Sequence, residues 1–362
     1  MRYRILLLGV ALGALVACEP APPPERQSPA EKLPSSEQRL LGNLLKEQQG
    51  ERLRRLKAGA KGFADAVQGL LGNPDELRLA TAREGWSRLY RSFNESMLVL
   101  SCRVAEQPAL AATLRRIDHF PMLPGYIDGL QNWPDSGIVN DLSVELTRES
   151  LLHAQSLSSD DESSLGFQVV AFLLYGEPER PRTVAELSLR SSDTDDNSIM
   201  DGGEIAESDS LINEETVVEP PMGTSAAYAA ERRREYLHLA TAILVEDLLM
   251  LAREAEQSVV MPGAQCPVAA MRMTVERLIR VSGLDDHQSV SGEYYSAHGR
   301  KLALEGLQQG LMPWLESESP LRHWLLAGGS NGHSQTLPAF VVADMPDPVL
   351  LQQLHAALSA AR

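Results

Sequence analysis

Glu235 and His238 stand three positions apart, the Glu-x-x-His spacing with which carboxylate-rich helical bundles hold metal, because i and i+3 side chains share one helix face. A charged, solvated helix start has the same spacing, so the pair is weighed against that plainer role. Asp193 to Glu204 reads as a calcium loop of twelve residues. Asp193, Asp195, Asn197, Asp201 and Glu204 offer side-chain oxygens at positions one, three, five, nine and twelve, and Ile199 offers its carbonyl at seven. Ser198 stands where the sharp turn asks for glycine, Met200 is unusual at position eight, and no clear helices flank the loop. A solvated acidic loop is the expectation there. His119 and His153 have no carboxylate in a comparable motif, and His287, His298, His323, His333 and His355 are scattered, so surface or capping roles are expected for all of them.

Nucleophilic and hydrolytic machinery leaves no convincing frame. No His-Glu-x-x-His pair occurs, and the letters Gly-x-Ser-x-Gly occur only at Gly328 to Gly332, without the strand-turn-helix frame of a nucleophile elbow. Gly328-Gly329-Ser330-Asn331-Gly332 lacks the lysine and the strand-helix frame of a phosphate loop and reads as a turn. A net charge of -16 argues against nucleic acid, whose phosphates repel such a surface. The densest basic run, Arg52 to Lys57, alternates in charge and reads as a solvated helix face.

These candidates must be carried by helices, since apolar residues recur at three-to-four spacing almost throughout. Leu40, Leu44, Leu45, Leu53, Leu56, Phe63, Val67 and Leu70 form one stripe, ended by Gly72-Asn73-Pro74; Asp75 opens the next helix through Trp86, Leu89, Tyr90 and Phe93. Phe120 to Gly137 is an irregular connection rich in proline and glycine. Helices are expected from Ile138 to Leu157, Leu165 to Tyr175, Glu231 to Gln257, Val268 to Val281, Tyr294 to Leu311 and Pro348 to Ala361. In the helix from Glu231, Leu237, Ala240, Leu244, Leu248 and Leu251 form the core stripe. Only Ala339 to Val342 hints at a strand. The fold class is all-α: two helical bundles in series, residues 37–181 and 223–362, joined by an acidic insertion over 182–222.

The first seventeen residues carry Arg2 and Arg4 and then an apolar run, Ile5 to Val16, the layout of a secretory signal too short to span a bilayer. Leu15-Val16-Ala17-Cys18 resembles the bacterial lipobox, whose cysteine accepts a diacylglycerol and a further acyl chain such as palmitate. A Pro-rich tether, residues 18–36, follows. Glu19 rather than aspartate follows the cysteine, which favours outer-membrane sorting on the periplasmic side of the envelope. In that oxidising compartment Cys102 and Cys266 are left either to bridge or to remain as two buried free thiols.

Several segments together resemble the imelysin-like family, which includes insulin-cleaving outer-membrane proteins and periplasmic iron-uptake lipoproteins. Ala82-Arg83-Glu84-Gly85-Trp86 is similar to its early Trp-bearing helix, and Ile127-Asp128-Gly129-Leu130-Gln131-Asn132-Trp133-Pro134 to its Trp-Pro turn. Glu231-Arg232-Arg233-Arg234-Glu235-Tyr236 through Val245-Glu246-Asp247-Leu248 resembles the helix that opens its second half. Gly166-Phe167-Gln168-Val169-Val170-Ala171-Phe172-Leu173-Leu174-Tyr175-Gly176 is similar to the family's Gly-Phe-His-x-x-Glu-Phe-Leu-Leu-x-Gly. The resemblance implies two helical bundles related by duplication, and it implies metal ligands where this chain has Gln168 and Ala171 behind Gly166. A neutral amide and a methyl group replace both ligands.

The expected function is a non-catalytic binding or accessory lipoprotein linked to bacterial iron acquisition, with the family's metal motif degenerate. Its partners would be the membrane, through the lipid on Cys18, and an envelope protein or a metal ion such as iron or calcium. Two alternatives stand beside it: a metallopeptidase with other ligands, and a structural or partner-binding envelope protein without metal chemistry.

Overall fold

Leu45, Leu53, Leu56, Ala60, Phe63, Val67 and Leu70 are all buried, and they line one side of α1 (Ser36–Gly72). The structure is a computed structural model that describes residues 36–120, 122–157, 159, 161–188, 226–257, 265–282, 297–315, 319 and 348–360. α1 ends where Pro74 bars the preceding residue from helical geometry. α2 (Glu76–Glu95) restarts the chain at once, its N-cap Asp75 accepting the Arg78 amide at 2.7 Å. Such a cap contributes about 1 kcal/mol.

α3 (Met97–Glu106) and α4 (Ala111–Ile117) follow, the latter entered through a single 3-10 turn, and then come the short α5 (Pro124–Ile127) and α6 (Arg148–Ala154). α7 (Phe167–Tyr175) and α8 (Ala185–Ser188) complete the first half. The second half supplies α9 (Ala226–Gln257), α10 (Gln265–Ser282), α11 (Ala297–Leu315) and α12 (Pro348–Ala360). The described residues contain no β-strand, only the isolated bridges Leu130–Trp133 and Gly176–Pro181, so the class is all-α. No helix among them is long and apolar enough to cross a membrane. The strand hinted at over Ala339 to Val342 lies outside the described residues.

Helices from the two halves pack on one another. α1 lies against α2 and α9, α2 against α11, and α3 against α10. Cys102 of α3 and Cys266 of α10 form a disulfide with their Cα atoms 5.2 Å apart. Closing so long a loop stabilises the fold by on the order of 3–5 kcal/mol. α11 meets α2 through Gly306 and Gly310, one turn apart, where the α2 backbone at Arg91 and Glu95 comes too close for a Cβ.

Four expectations are corrected. Residues 138–147 are turns rather than helix, and only Arg148–Ala154 of the expected Ile138 to Leu157 stretch is helical. Gly137 at φ +86° begins the turn, Asp141 caps the Ser143 amide, and Thr147 starts α6 by accepting the Ser150 amide. Arg52 is buried rather than solvated: it donates to the Gly310 carbonyl at 3.0 Å, while Arg54 and Arg55 of the same run stay outside. Arg182 to Ser188, assigned to the acidic insertion, belongs to the folded body, with Arg182 and Leu187 buried. His119 is buried too, so it is not a surface histidine.

Candidate functional site

α7 carries no charged residue and only one amide, Gln168, and it runs through the interior, as that composition requires. Phe167, Val170 and Leu174 are packed as expected, but so is every residue from Phe167 to Leu174, Gln168 and Ala171 included. Gly166 enters α7 at φ +100°, and a Cβ there would stand 2.4 Å from the Arg116 carbonyl oxygen. The glycine that opens the motif therefore has a backbone role. Trp86, Tyr90 and Phe93 of α2 meet Phe167 with ring centroids 4.7–6.3 Å apart, and the Trp86 indole N–H donates to the Phe167 carbonyl at 3.0 Å.

Gln168 stands at the end of this aromatic wall and touches polar groups of α2 and of the residue that follows α4. Its amide donates to the Tyr90 hydroxyl and to Asp118 Oδ1, both at 3.1 Å, and the Tyr90 hydroxyl donates to the same Oδ1 at 3.2 Å. Asp118, just past α4, pairs through Oδ2 with Arg277 of α10. Arg277 Nε and its terminal nitrogen also donate to Asn94 Oδ1 at 3.0 and 2.8 Å, while Asn94 donates to the Tyr90 carbonyl at 2.8 Å. The guanidinium lies 5.5 Å from the Phe93 ring centroid, close enough for cation–π attraction. Every polar side chain in the chain of contacts Gln168–Tyr90–Asp118–Arg277–Asn94 has a partner. The carboxylate accepts three donors, one of them cationic, so a metal ion would have to displace Arg277 to reach it. Ala171 offers only its buried methyl group.

A second buried centre went unread in the sequence. Asp128, beside the Trp-Pro turn, is 1 % exposed and accepts from two arginines. Arg233 is bidentate at 2.5 and 3.0 Å, Arg182 donates at 2.7 Å, and the Gly129 amide donates at 2.8 Å. Burial pushes the Asp128 pKa up, but the Arg233 hydrogen bonds, the charges of Arg182 and Arg233 and the Gly129 amide outweigh it and hold it below the ordinary value. Arg182 continues to Glu186 at 3.0 Å. Arg232 donates to four carbonyls of the neighbouring loop, those of Ile138, Val139, Asp141 and Val144, at 2.8–2.9 Å. Arg234 donates to the carbonyls of Leu187 and Leu71 at the C-terminal ends of α8 and α1, where the helix dipole favours a cation. A spacing signal did exist: Arg233 lies one turn before the core residue Leu237, hence on the same inward face.

The other candidates do not converge. Glu235 and His238 are both exposed, on a groove of about 500 Å³ shared with Tyr228, Glu231 and Arg234. Among the described residues the one cluster of three ligand-type groups is Cys102, Glu106 and Cys266, whose sulfurs are already bonded to each other. His298 contacts Ser87 Oγ at 3.1 Å and His355 contacts Glu276 at 3.0 Å. Cys18, the calcium-type loop Asp193 to Glu204, and His287, His323 and His333 lie outside the described residues. The sequence matches no protein-family model and no curated protein.

Proposed function

We propose that the chain is an imelysin-like envelope lipoprotein, anchored to the outer membrane through Cys18, that acts as a non-catalytic binding or accessory protein linked to iron acquisition. The observation that carries the non-catalytic part is the network around Gln168, in which the motif's two ligand positions hold an amide and a methyl group and the nearest carboxylate is occupied by Arg277. Peptide hydrolysis by a metal enzyme needs a polarised water and a general base. Neither has a donor set here, and a guanidinium repels the ion that would supply one. On this reading 37–181 and 223–362 are the family's two helical bundles, packed through α2–α11 and α3–α10.

Calorimetry with ferrous iron and zinc tests the site. The unmodified protein is expected to give no tight, stoichiometric binding that depends on Gln168. Gln168→His with Ala171→Glu is expected to bind no better while Arg277 stays in place, and burying a carboxylate at Ala171 should cost stability. Stoichiometric binding by the wild type that vanishes in Gln168→Ala refutes the reading. Anchoring is tested separately by Cys18→Ser, which should release the protein from membranes or block its processing; unchanged fractionation and lipid labelling would sink it.

A further inference from the structure

A groove of about 1080 Å³ opens between α6 and the loop that Arg232 pins. Its rim carries four exposed carboxylates, Asp135, Asp141, Glu145 and Glu149, and its one basic lining side chain is His153. Several acids elsewhere in the fold have arginine partners, among them Glu51, Glu84, Asp118, Asp128, Asp247 and Glu305. Among the described residues none of the four rim carboxylates makes an ion pair. Asp141 accepts from the Ser143 hydroxyl and amide, which, with a lesser contribution from the charge of Arg232, hold its carboxyl below the ordinary pKa. No three of them lie within 4.8 Å of one another, so their charge is spread along the groove rather than focused on one ion.

Between the carboxylates the lining is apolar: Tyr126, Ile138, Val144, Ala154 and Leu157. Leu157 is 59 % exposed, and Leu123, Trp133 and Leu142 are further large hydrophobics standing in solvent on the same stretch of chain. An extended row of unpaired negative charge beside uncovered apolar surface has the complement of a segment that alternates cationic and aliphatic side chains. The volume lies at the upper end of what a drug-sized ligand fills, in keeping with a chain segment rather than a compact molecule.

We propose that this groove docks a cationic, amphipathic peptide segment of a partner protein, with lysine or arginine side chains on Glu145 and Glu149 and an aliphatic anchor against Leu157. The inference stands whether or not the anchoring and family readings hold, since it uses only this groove.

The test is fluorescence anisotropy on the full chain with a labelled peptide of alternating lysine and leucine. Saturable binding is expected, weakening as salt rises. Glu145→Gln with Glu149→Gln should weaken it about fivefold or more, the loss expected from two rim charges. Glu47→Gln with Asp65→Asn, which removes the same charge from exposed positions of α1, should leave it unchanged. Leu157→Ser should weaken the lysine–leucine peptide but not a lysine–serine peptide of equal charge. All five positions are exposed, and circular dichroism verifies that each variant is folded. Equal loss in the α1 pair, indifference to Glu145 and Glu149, or absence of saturable binding overturns the proposal. So does a lysine–serine peptide that binds as tightly as the lysine–leucine one and is displaced by spermine, which would make the groove a polyamine site.

Discussion

Replacing Asp128 with asparagine is expected to destabilise the fold by about 3–5 kcal/mol, because it leaves the Arg182 and Arg233 guanidiniums buried with a neutral partner. Asparagine keeps the shape and one oxygen, so the loss reads the missing charge rather than a cavity. Denaturant unfolding of Asp128→Asn against Asp65→Asn, an exposed control, measures it; a difference below about 1 kcal/mol would mean that the cluster behaves like surface ion pairs. The same centre sets an acid limit. A carboxylate whose folded pKa is depressed contributes stability that is complete above its unfolded pKa, near 4, and is lost as pH falls through the folded value. The wild type should therefore lose stability on acidification below about pH 4, and Asp128→Asn should lose less over that range.

The same substitution in two helices should have opposite signs. Gly306→Ala with Gly310→Ala would place Cβ atoms 2.5 Å from the Arg91 carbonyl oxygen and 2.7 Å from that of Glu95, forcing α11 off α2. A loss of roughly 3 kcal/mol or more is expected, since overpacking at each site exceeds the helix-propensity gain of about 1 kcal/mol per residue. Gly62→Ala with Gly69→Ala meets nothing within 4 Å on the exposed side of α1, and should stabilise by up to about 1–2 kcal/mol. Thermal melts of both pairs decide it: an unchanged midpoint in the α11 pair would mean that the close crossing is not needed.

The helices were legible because their signal is local. The stripe from Leu45 to Leu70, the proline stop after Gly72 and the Asp75 cap all depend on neighbours within a few residues. α9, however, begins at Ala226, earlier than its charge pattern suggested, and Ala229 and Ala230 of its first turns are buried. The loop over 138–147 misled for the opposite reason: its apolar spacing is helical, but its carbonyls are held by a side chain 88–94 residues away. Distance in sequence also hid Asp128 and Asp118. A charged residue on paper looks the same whether water or a guanidinium awaits it, and two of their arginine partners, Arg233 and Arg277, lie in the second half of the chain. At Gln168 the motif revealed what had been lost; Arg277, standing against the neighbouring carboxylate, could be found only by folding the chain.

The three consecutive arginines of α9 have a kinetic consequence. The loop before α6, the segment around α8 and the end of α1 are tied to one short stretch of a helix that comes late in the chain. As the polypeptide emerges from its N-terminus, these carbonyls have no anchor until Arg232 to Arg234 arrive, so the region that forms the acidic groove is among the last to consolidate. Chains truncated before α9 would keep the helical hairpin of α1 and α2 but leave the loop 138–144 and the end of α8 without the arginines that hold their carbonyls, a natural target for proteases and chaperones while synthesis is incomplete.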